Sequence, residues 1–165
     1  MKTRKRLGLW LIGAWCACAS MLAQDRVNVY PDQRMLWSEI MLHSEKGLVR
    51  EGQDWRGTVL WTTRPGEIFE GYSSSSFDLR FTVRDGRLIQ GDSNFSDAVL
   101  YTLEGNSIYI GDSTFPLDLV YTIQPDALNA GVYGLYKEDS ISMFDRICVF
   151  EGQPSAEVLY GFLMA

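Results

Sequence analysis

Three consecutive stretches of twenty residues decide the fold: WTTRPGEIFEGYSSSSFDLR from Trp61, FTVRDGRLIQGDSNFSDAVL from Phe81 and YTLEGNSIYIGDSTFPLDLV from Tyr101. An aromatic residue opens each stretch, a threonine follows it, and a glycine recurs ten residues after the aromatic. The aromatic and the threonine return once more at Tyr121 and Thr122. Residues twenty positions apart are therefore predicted to occupy equivalent places in successive structural units.

Each unit has the pattern of a β-hairpin. Around Phe81, apolar and polar residues alternate with the period of two that is expected of a strand with one buried face. Asp85-Gly86 interrupts the alternation, and this dipeptide accepts the two positive φ angles of a type I′ turn. Such a turn sets Val83 opposite Leu88.

Turn-forming residues recur in the same slot of the other units: Pro65-Gly66, Gly105-Asn106, Pro125-Asp126 and Asp145-Arg146. The Gly105-Asn106 turn is expected to set Leu103 opposite Ile108. Proline fixes φ near −65°, so the two corners that contain it need another turn type or a bulge. The same counting assigns Leu128 to the apolar slot of Leu88 and Gly131 to the glycine slot, and the repeat is clearest over residues 61–131.

The period predicts an all-β fold in which repeated hairpins form an antiparallel meander that curls into a barrel or a flower-like ring. Two alternatives remain open. One is a β-solenoid in which each unit is one coil, and the other is a lipocalin-like barrel without repeat symmetry. In the preferred fold the aromatic residues at 61, 81, 101 and 121 share the buried face and belong to the core.

Both flanks of the repeat are less regular. Residues 33–46 fit either an N-capped helix or a decayed hairpin with its turn at residues 44–47, and the hairpin is preferred. The final run Val158–Leu163 is apolar on both faces and is predicted to be a strand that pairs with another strand and closes the sheet. Deleting residues 157–165 is therefore expected to make the protein insoluble.

Residues 1–23 have the pattern of a signal peptide, and residues 24–165 are predicted to be one all-β repeat domain. Four basic residues precede an uncharged apolar run and then small residues. Cleavage after Ala23 is preferred. Lipid attachment at Cys18 is disfavoured because Trp15 stands where such a signal needs an aliphatic residue. The mature chain is expected to be periplasmic or extracellular, without membrane insertion.

The charge of the mature chain excludes some partners. Four of the fifteen basic residues and none of the twenty-one acidic residues lie in the leader, so the remainder has a net charge of −10. Nucleic acids and anionic membrane surfaces require clustered Lys and Arg, and no such cluster is present. Cys148 is the only cysteine after the leader, and its apolar neighbours predict a buried, unreactive side chain.

The sequence motifs predict no catalytic residue, metal site or cofactor. Gly-Asp-Ser at Ser93 and again at Ser113 is also found around the nucleophile of some hydrolases. The two copies lie one repeat apart and the only histidine, His43, lies upstream, so we expect these serines to hydrogen-bond the loop backbone instead. A helix over residues 33–46 would place Glu39 and His43 on one face, but two ligands are too few for zinc.

The unit of aromatic, threonine, turn, Ile or Leu, and then Gly-x-Ser resembles the short β-hairpin repeats of small proteins secreted by bacteria, and it is similar to the β-flower type. The resemblance covers residues 61–131 well. It implies a fold made of repeated hairpins and implies no catalytic residues.

Taken together, these patterns predict an exported, non-enzymatic interaction module or structural component of the envelope whose partner is an unknown protein or other envelope component. The predicted contact residues are Tyr133, Leu135 and Tyr136, because they replace the polar loop that other units have at this point. The alternative function is a carrier of a small ligand with a lipocalin-like cavity, which needs a pocket of roughly 300 Å³ or more. A hydrolase is a third option.

Overall fold

The computed structural model describes residues 26–165, which form twelve strands, one α-helix and four short 3-10 turns. The predicted signal peptide lies outside the described residues. The strands are β1 (Arg26–Tyr30), β2 (Leu42–Glu45), β3 (Leu48–Glu51), β4 (Val59–Arg64), β5 (Glu67–Glu70), β6 (Leu79–Arg84), β7 (Arg87–Gln90), β8 (Val99–Glu104), β9 (Ser107–Ile110), β10 (Leu119–Pro125), β11 (Val132–Lys137) and β12 (Arg146–Glu151). The helix α1 is Ala156–Leu163.

Each strand is antiparallel to the next in the chain, and β12 pairs with β1, so the sheet is a closed barrel. The predicted antiparallel hairpin meander is therefore confirmed. A β-solenoid is excluded because its coils would stack strands in parallel.

The repeated aromatic residues occupy equivalent places inside the barrel. Their cross-strand partners are Val49 for Trp61, Ile68 for Phe81, Leu88 for Tyr101 and Ile108 for Tyr121. All four partners are completely buried, and the half-buried aromatic rings pack against the core that they form. The prediction that residues twenty apart are equivalent, and that these rings belong to the core, is confirmed.

A β-bulge recurs immediately before each of these aromatic residues, at Leu60, Arg80, Leu100 and Val120. In the first three units the carbonyl oxygen of the bulged residue accepts a hydrogen bond from the repeated glycine, at 2.7 to 2.8 Å. A bulge bends its strand and increases the local twist. Regularly spaced bulges thus supply the curvature that a closed sheet requires.

Three of the five predicted turn dipeptides, at residues 65–66, 85–86 and 105–106, form two-residue turns. The turn predicted at Pro125-Asp126 is wrong, because Pro125 ends β10 and pairs with Tyr133. Asp85 and Gly86 both have positive φ, 49° and 76°, as a type I′ turn requires, and Val83 lies opposite Leu88. At Pro65-Gly66 only the glycine has positive φ, which is the pattern of a type II turn. The Gly86 carbonyl oxygen also accepts a hydrogen bond of 2.8 Å from Leu103 N on the next hairpin, so successive hairpins are linked through their turns.

The fourth unit contains an insertion that the fixed period misplaces. Leu128 is 92% exposed in the connection between β10 and β11, so its assignment to the apolar core slot is wrong. Leu135 occupies that slot, opposite Ile123. The place assigned to Gly131 belongs to Glu138, whose N–H donates to the bulge carbonyl of Val120 at 2.8 Å.

The insertion also moves the Asp145-Arg146 pair. These residues are not a hairpin turn, because Asp145 ends the connection between β11 and β12 and Arg146 begins β12. In the region before the repeat, the hairpin interpretation is confirmed, since β2 and β3 pair around a turn at Lys46-Gly47. A 3-10 turn at Trp37–Glu39 precedes them.

The C-terminal run is helical, so the predicted final strand is wrong. The Ser155 side chain accepts a hydrogen bond from Val158 N and caps α1, a role that serine commonly takes at helix starts. The run is apolar all round because α1 lies inside the barrel and is buried by the wall on all sides. The sheet is closed by the pairing of β1 with β12.

Helix α1 is held in the barrel by two hydrogen bonds to hairpin turns. The Tyr160 hydroxyl donates to the Gly86 carbonyl oxygen at 2.5 Å, and the Glu157 carboxylate accepts from Gly66 N at 2.9 Å. Tyr160 is fully buried, and burial raises the pKa of its hydroxyl. The helix therefore fills the end of the barrel at which these turns lie.

Candidate functional site

The two ends of the barrel are connected differently. At one end, the turn end, four of the connections are two-residue turns, at residues 46–47, 65–66, 85–86 and 105–106. At the other, the loop end, all six connections are long, at residues 31–41, 52–58, 71–78, 91–98, 111–118 and 138–145. The loop end is the candidate functional site, because binding residues concentrate on loops that a rigid scaffold positions.

The repeated threonine and glycine fix the start of each repeat loop. The Thr82 hydroxyl donates to the Gly91 carbonyl oxygen at 2.9 Å, and Thr62 and Thr102 bond the corresponding glycines at 2.7 Å. These glycines have φ of 62° to 68°, a left-handed conformation that turns the chain out of the strand. The loops therefore leave the barrel in a defined direction.

Serine and aspartate side chains then brace the loops. The Ser113 hydroxyl donates to Asp118 Oδ2 at 2.5 Å and accepts from Phe115 N at 3.2 Å. Pairs of the same kind join Ser73 to Asp78 and Ser140 to Asp145, at 2.5 and 2.6 Å. The Ser93 hydroxyl accepts from Phe95 N at 3.1 Å. Both serines of the Gly-Asp-Ser motifs thus hydrogen-bond the local backbone.

Every loop of the loop end exposes a large apolar side chain. We call the following seven residues the tip ring; their exposed fractions range from 54% to 99%: Trp37, Trp55, Phe77, Phe95, Phe115, Leu117 and Phe144. Exposed apolar side chains lower the solubility of a protein, and these do not contribute to the core. Exposed large apolar residues grouped at one end of a protein and interspersed with polar groups are typical of interaction surfaces.

The loop end is also strongly acidic. Its six loops contain two basic residues, Arg34 and Arg56. They contain eleven acidic residues: Asp32, Glu39, Asp54, Asp78, Asp92, Asp97, Asp112, Asp118, Glu138, Asp139 and Asp145. Apolar tips are therefore interspersed with carboxylates, a combination that suits a partner with apolar pockets and basic residues around them.

The side chains best suited to catalysis or metal binding, Cys148 and His43, are buried. Burial raises the pKa of the Cys148 thiol to about 12, which removes the thiolate that reactivity requires. His43 is buried on β2, and its Nδ1 lies 2.7 Å from the Gly52 carbonyl oxygen. Within residues 26–165, no group of three or more His, Cys, Asp or Glu side chains is placed to hold a metal ion.

The three predicted contact residues do not form one exposed surface. Leu135 is 2% exposed and belongs to the core, and Tyr133 packs against that core. Tyr136 lies on the other face of β11, with its ring over Gly134, where an added Cβ would be 2.6 Å from the ring. These three residues stand where other units have a polar loop because the longer connection before them moves strand β11 into this part of the sequence. Binding by these residues stays a prediction that the geometry does not favour.

The tip ring was missed by the sequence analysis, although a signal for it is present. Phe95 and Phe115 lie twenty residues apart, two positions after the repeated serine. An aromatic residue that recurs inside an otherwise polar loop has no partner in the strand pattern, so its recurrence points to the loop surface.

Comparisons with known proteins agree with this architecture. The family model described as "6-fold beta flower protein" matches residues 29–137, which is more than half of the chain. No curated protein and no solved structure matches. None of the helices within residues 26–165 has the length and apolar character needed to cross a bilayer. The resemblance to β-flower repeats is confirmed, and the chain belongs to the 6-fold beta flower family.

Proposed function

We propose that this chain is an exported, non-enzymatic interaction module that binds another protein through the tip ring. The observation that carries the proposal is the exposure of large apolar side chains on all six loops of one end. Tryptophan and phenylalanine are enriched at protein interfaces, where they supply contact area at low entropic cost.

The acidic residues of the loop end support a partner with basic residues on its binding surface. Four of the eleven carboxylates are paired with arginine, Asp92 with Arg84, Asp112 with Arg87, and Asp32 and Glu39 with Arg34. The remaining excess of negative charge would repel an anionic membrane and a second copy of this chain facing the first through the same end. A protein with apolar pockets bordered by Lys and Arg complements both features. Charge attraction of this kind speeds association and weakens as salt is added.

The alternative of a small-ligand carrier is less well supported. Helix α1 occupies the space that would be the ligand cavity of a lipocalin-like barrel. The cavity inside the barrel and the one beside the 105–106 turn have volumes of about 220 and 290 Å³, which is small for a dedicated carrier. A larger cavity of about 720 Å³ is lined mainly by polar and charged residues, including Lys46, Arg64 and Ser73, and does not suit an apolar ligand. A hydrolase is disfavoured because Ser93 and Ser113 serve the loop backbone, and esterase activity abolished by Ser113→Ala would overturn that argument.

Affinity capture from the envelope fraction tests the binding surface. The tip variant carries Phe95→Ser, Phe115→Ser and Phe144→Ser, and the matched control carries Leu128→Ser, which removes an equally exposed apolar side chain from the turn end. We expect a protein that is captured by the wild type and the control, is lost with the tip variant, and dissociates between about 50 and 300 mM salt.

Three results would overturn this assignment. Equal capture by the tip variant would remove the tip ring from the binding surface. Flotation with phosphatidylcholine vesicles that the tip variant abolishes would identify lipid as the partner. Concentration-dependent dimers that the tip variant abolishes would identify a second copy.

Export is tested separately on the natural protein. We expect its N-terminus, sequenced after fractionation, to begin at Gln24 and the protein to be absent from the cytoplasm. An intact Met1 in the cytoplasmic fraction would contradict export without bearing on the tip ring.

A further inference from the structure

A cavity of about 220 Å³ lies inside the barrel, between the end of α1 and the loop end. Phe162 and Leu163 of α1 form its floor, and the wall residues Val29, Leu135 and Cys148 surround it. These wall residues are all buried. The cavity is thus a space that α1 leaves unfilled, on the side away from the turns that hold the helix.

The lining of this cavity contains no charged side chain. The polar side-chain groups among the lining residues are the Tyr121 hydroxyl and the Cys148 thiol, and a thiol is a weak hydrogen-bonding group. Water needs two to four polar partners in a buried site, so water is poorly held here. An apolar cavity of about 150 Å³ in another protein stays dry and binds benzene or xenon.

The cavity has a route to solvent at the loop end. Met41 and Ile147 line it and are 43% and 46% exposed. Ile147 is the unpaired residue of the bulge between β11 and β12, so its side chain is not fixed by a cross-strand partner. The rim is therefore apolar and partly exposed, so it presents no charged barrier to a small apolar molecule.

We propose that this cavity is a binding site for a small, uncharged, apolar molecule of about six to ten non-hydrogen atoms. The size of the ligand is inferred from the volume of the cavity, and its lack of charge is inferred from the absence of charged side chains in the lining. The site is separate from the tip ring, so the binding of such a molecule does not depend on the proposed protein partner.

Thermal unfolding with toluene as the probe tests the site. Toluene at about five times its dissociation constant is expected to raise the Tm of the wild type by about 2–5 °C. Cys148→Leu extends further into the cavity, reduces its volume, and is expected to reduce that shift. The matched control is Ala156→Leu, which fills the neighbouring cavity lined by Leu103, Ile123 and Leu159 and is expected to keep the shift.

Methyl NMR spectra locate the bound probe. We expect toluene to shift the methyl signals of Val29 and Leu135 and to leave those of Leu103 and Ile123 in place. If Cys148→Leu does not fold, Ile147→Trp at the rim replaces it and is expected to reduce toluene affinity at least tenfold. Absence of both the Tm and the methyl shifts in the wild type would overturn the proposal. A shift that neither substitution reduces, or benzoate binding as tight as toluene, would also overturn it.

Discussion

The turn end of the barrel has two-residue turns and is filled by α1, whereas the loop end has long connections and an open ring of apolar tips. At the turn end, each turn carbonyl is used by a neighbouring element, as when Gly86 O accepts from both Leu103 N and the Tyr160 hydroxyl. At the loop end, the serine–aspartate bonds stay within one loop, as between Ser113 and Asp118. Other bonds cross between units, as when Arg87 on β7 donates to Asp112 and Gly52 N donates to the Met41 carbonyl oxygen. One end is thus built for cohesion, while the other leaves its side chains free for contacts.

Removing α1 is expected to have the largest effect. Deletion of residues 157–165 exposes the completely buried partners Val49, Ile68 and Leu88 and removes the fully buried Tyr160. Burial of each large apolar side chain contributes about 1.5–3 kcal/mol, so the loss is comparable with the total stability of a typical domain, about 5–15 kcal/mol. We expect an insoluble product on expression, and a soluble, folded truncation would show that the barrel closes without its helix.

Substitution of Tyr160 tests the same cohesion more finely. Tyr160→Ala is expected to lower the free energy of unfolding by about 3–5 kcal/mol, because it leaves a large cavity. Tyr160→Phe removes only the hydroxyl that bonds Gly86 and is expected to cost about 1–2 kcal/mol. At the loop end, Phe95→Ala is expected to change stability by no more than about 0.5 kcal/mol. Urea unfolding measures all three, and equal losses for Phe95→Ala and Tyr160→Ala would erase the distinction between the ends.

Substitution of one glycine at each end tests how tightly the backbone is packed there. Gly86 in a turn and Gly91 in a loop both have positive φ, 76° and 64°. A Cβ at Gly86 would lie 2.5 Å from the Leu103 carbonyl oxygen, whereas a Cβ at Gly91 has nothing within 4 Å. We expect Gly91→Ala to cost about 1 kcal/mol for the left-handed conformation alone and Gly86→Ala to cost about 2–4 kcal/mol. Equal costs in urea unfolding would mean that the turn can move away from the next hairpin.

The smallest expected effect comes from Glu151, the last residue of β12. Hydrogen bonds from Asn28 Nδ2 at 2.9 Å and the Tyr30 hydroxyl at 2.7 Å lower the pKa of this carboxyl. Its ionised form therefore stabilises the fold above about pH 4.3, the unfolded value, and this contribution is lost as pH falls through the lower folded value. Because Glu151 is exposed, the effect is small.

Glu151→Gln provides the measurement. The wild type is expected to be more stable than the variant at pH 7, and the difference should shrink as urea unfolding is repeated at pH 4 and below. A difference that does not change with pH would assign the stabilisation to hydrogen bonding alone.

The sequence was sufficient to predict the fold where a short stretch of residues determines its own conformation. Asp85-Gly86 sets its own turn and register, and the alternation around Phe81 sets the buried face. The twenty-residue period assigned Leu128 to the wrong position because the connection between β10 and β11 contains extra residues. These extra residues displace the following strand along the sequence, and nothing in their composition marks them as an insertion. Strand β11 was recoverable from its own alternation, in which Tyr133 and Leu135 face inward.

Helix α1 and the tip ring were hidden for a different reason. A helix surrounded by a barrel has no polar face, so the usual helical period is absent from Val158–Leu163. Ser155 and the preceding Pro154 were the remaining signals of a helix start. The exposure of Phe95 and Phe115 depends on which end of the barrel their loops occupy, and that is fixed by the topology of all twelve strands.

The pairing of β1 with β12 has a consequence for biosynthesis. Asn28 and Glu151, which meet across this seam, are 123 positions apart, so the ring is completed only after residue 151 has been synthesised. Until then both outermost strands offer unpaired backbone groups to foreign strands. Fragments released before residue 146 lack the seam strand, and a cell that makes this protein benefits from rapid proteolysis of such fragments.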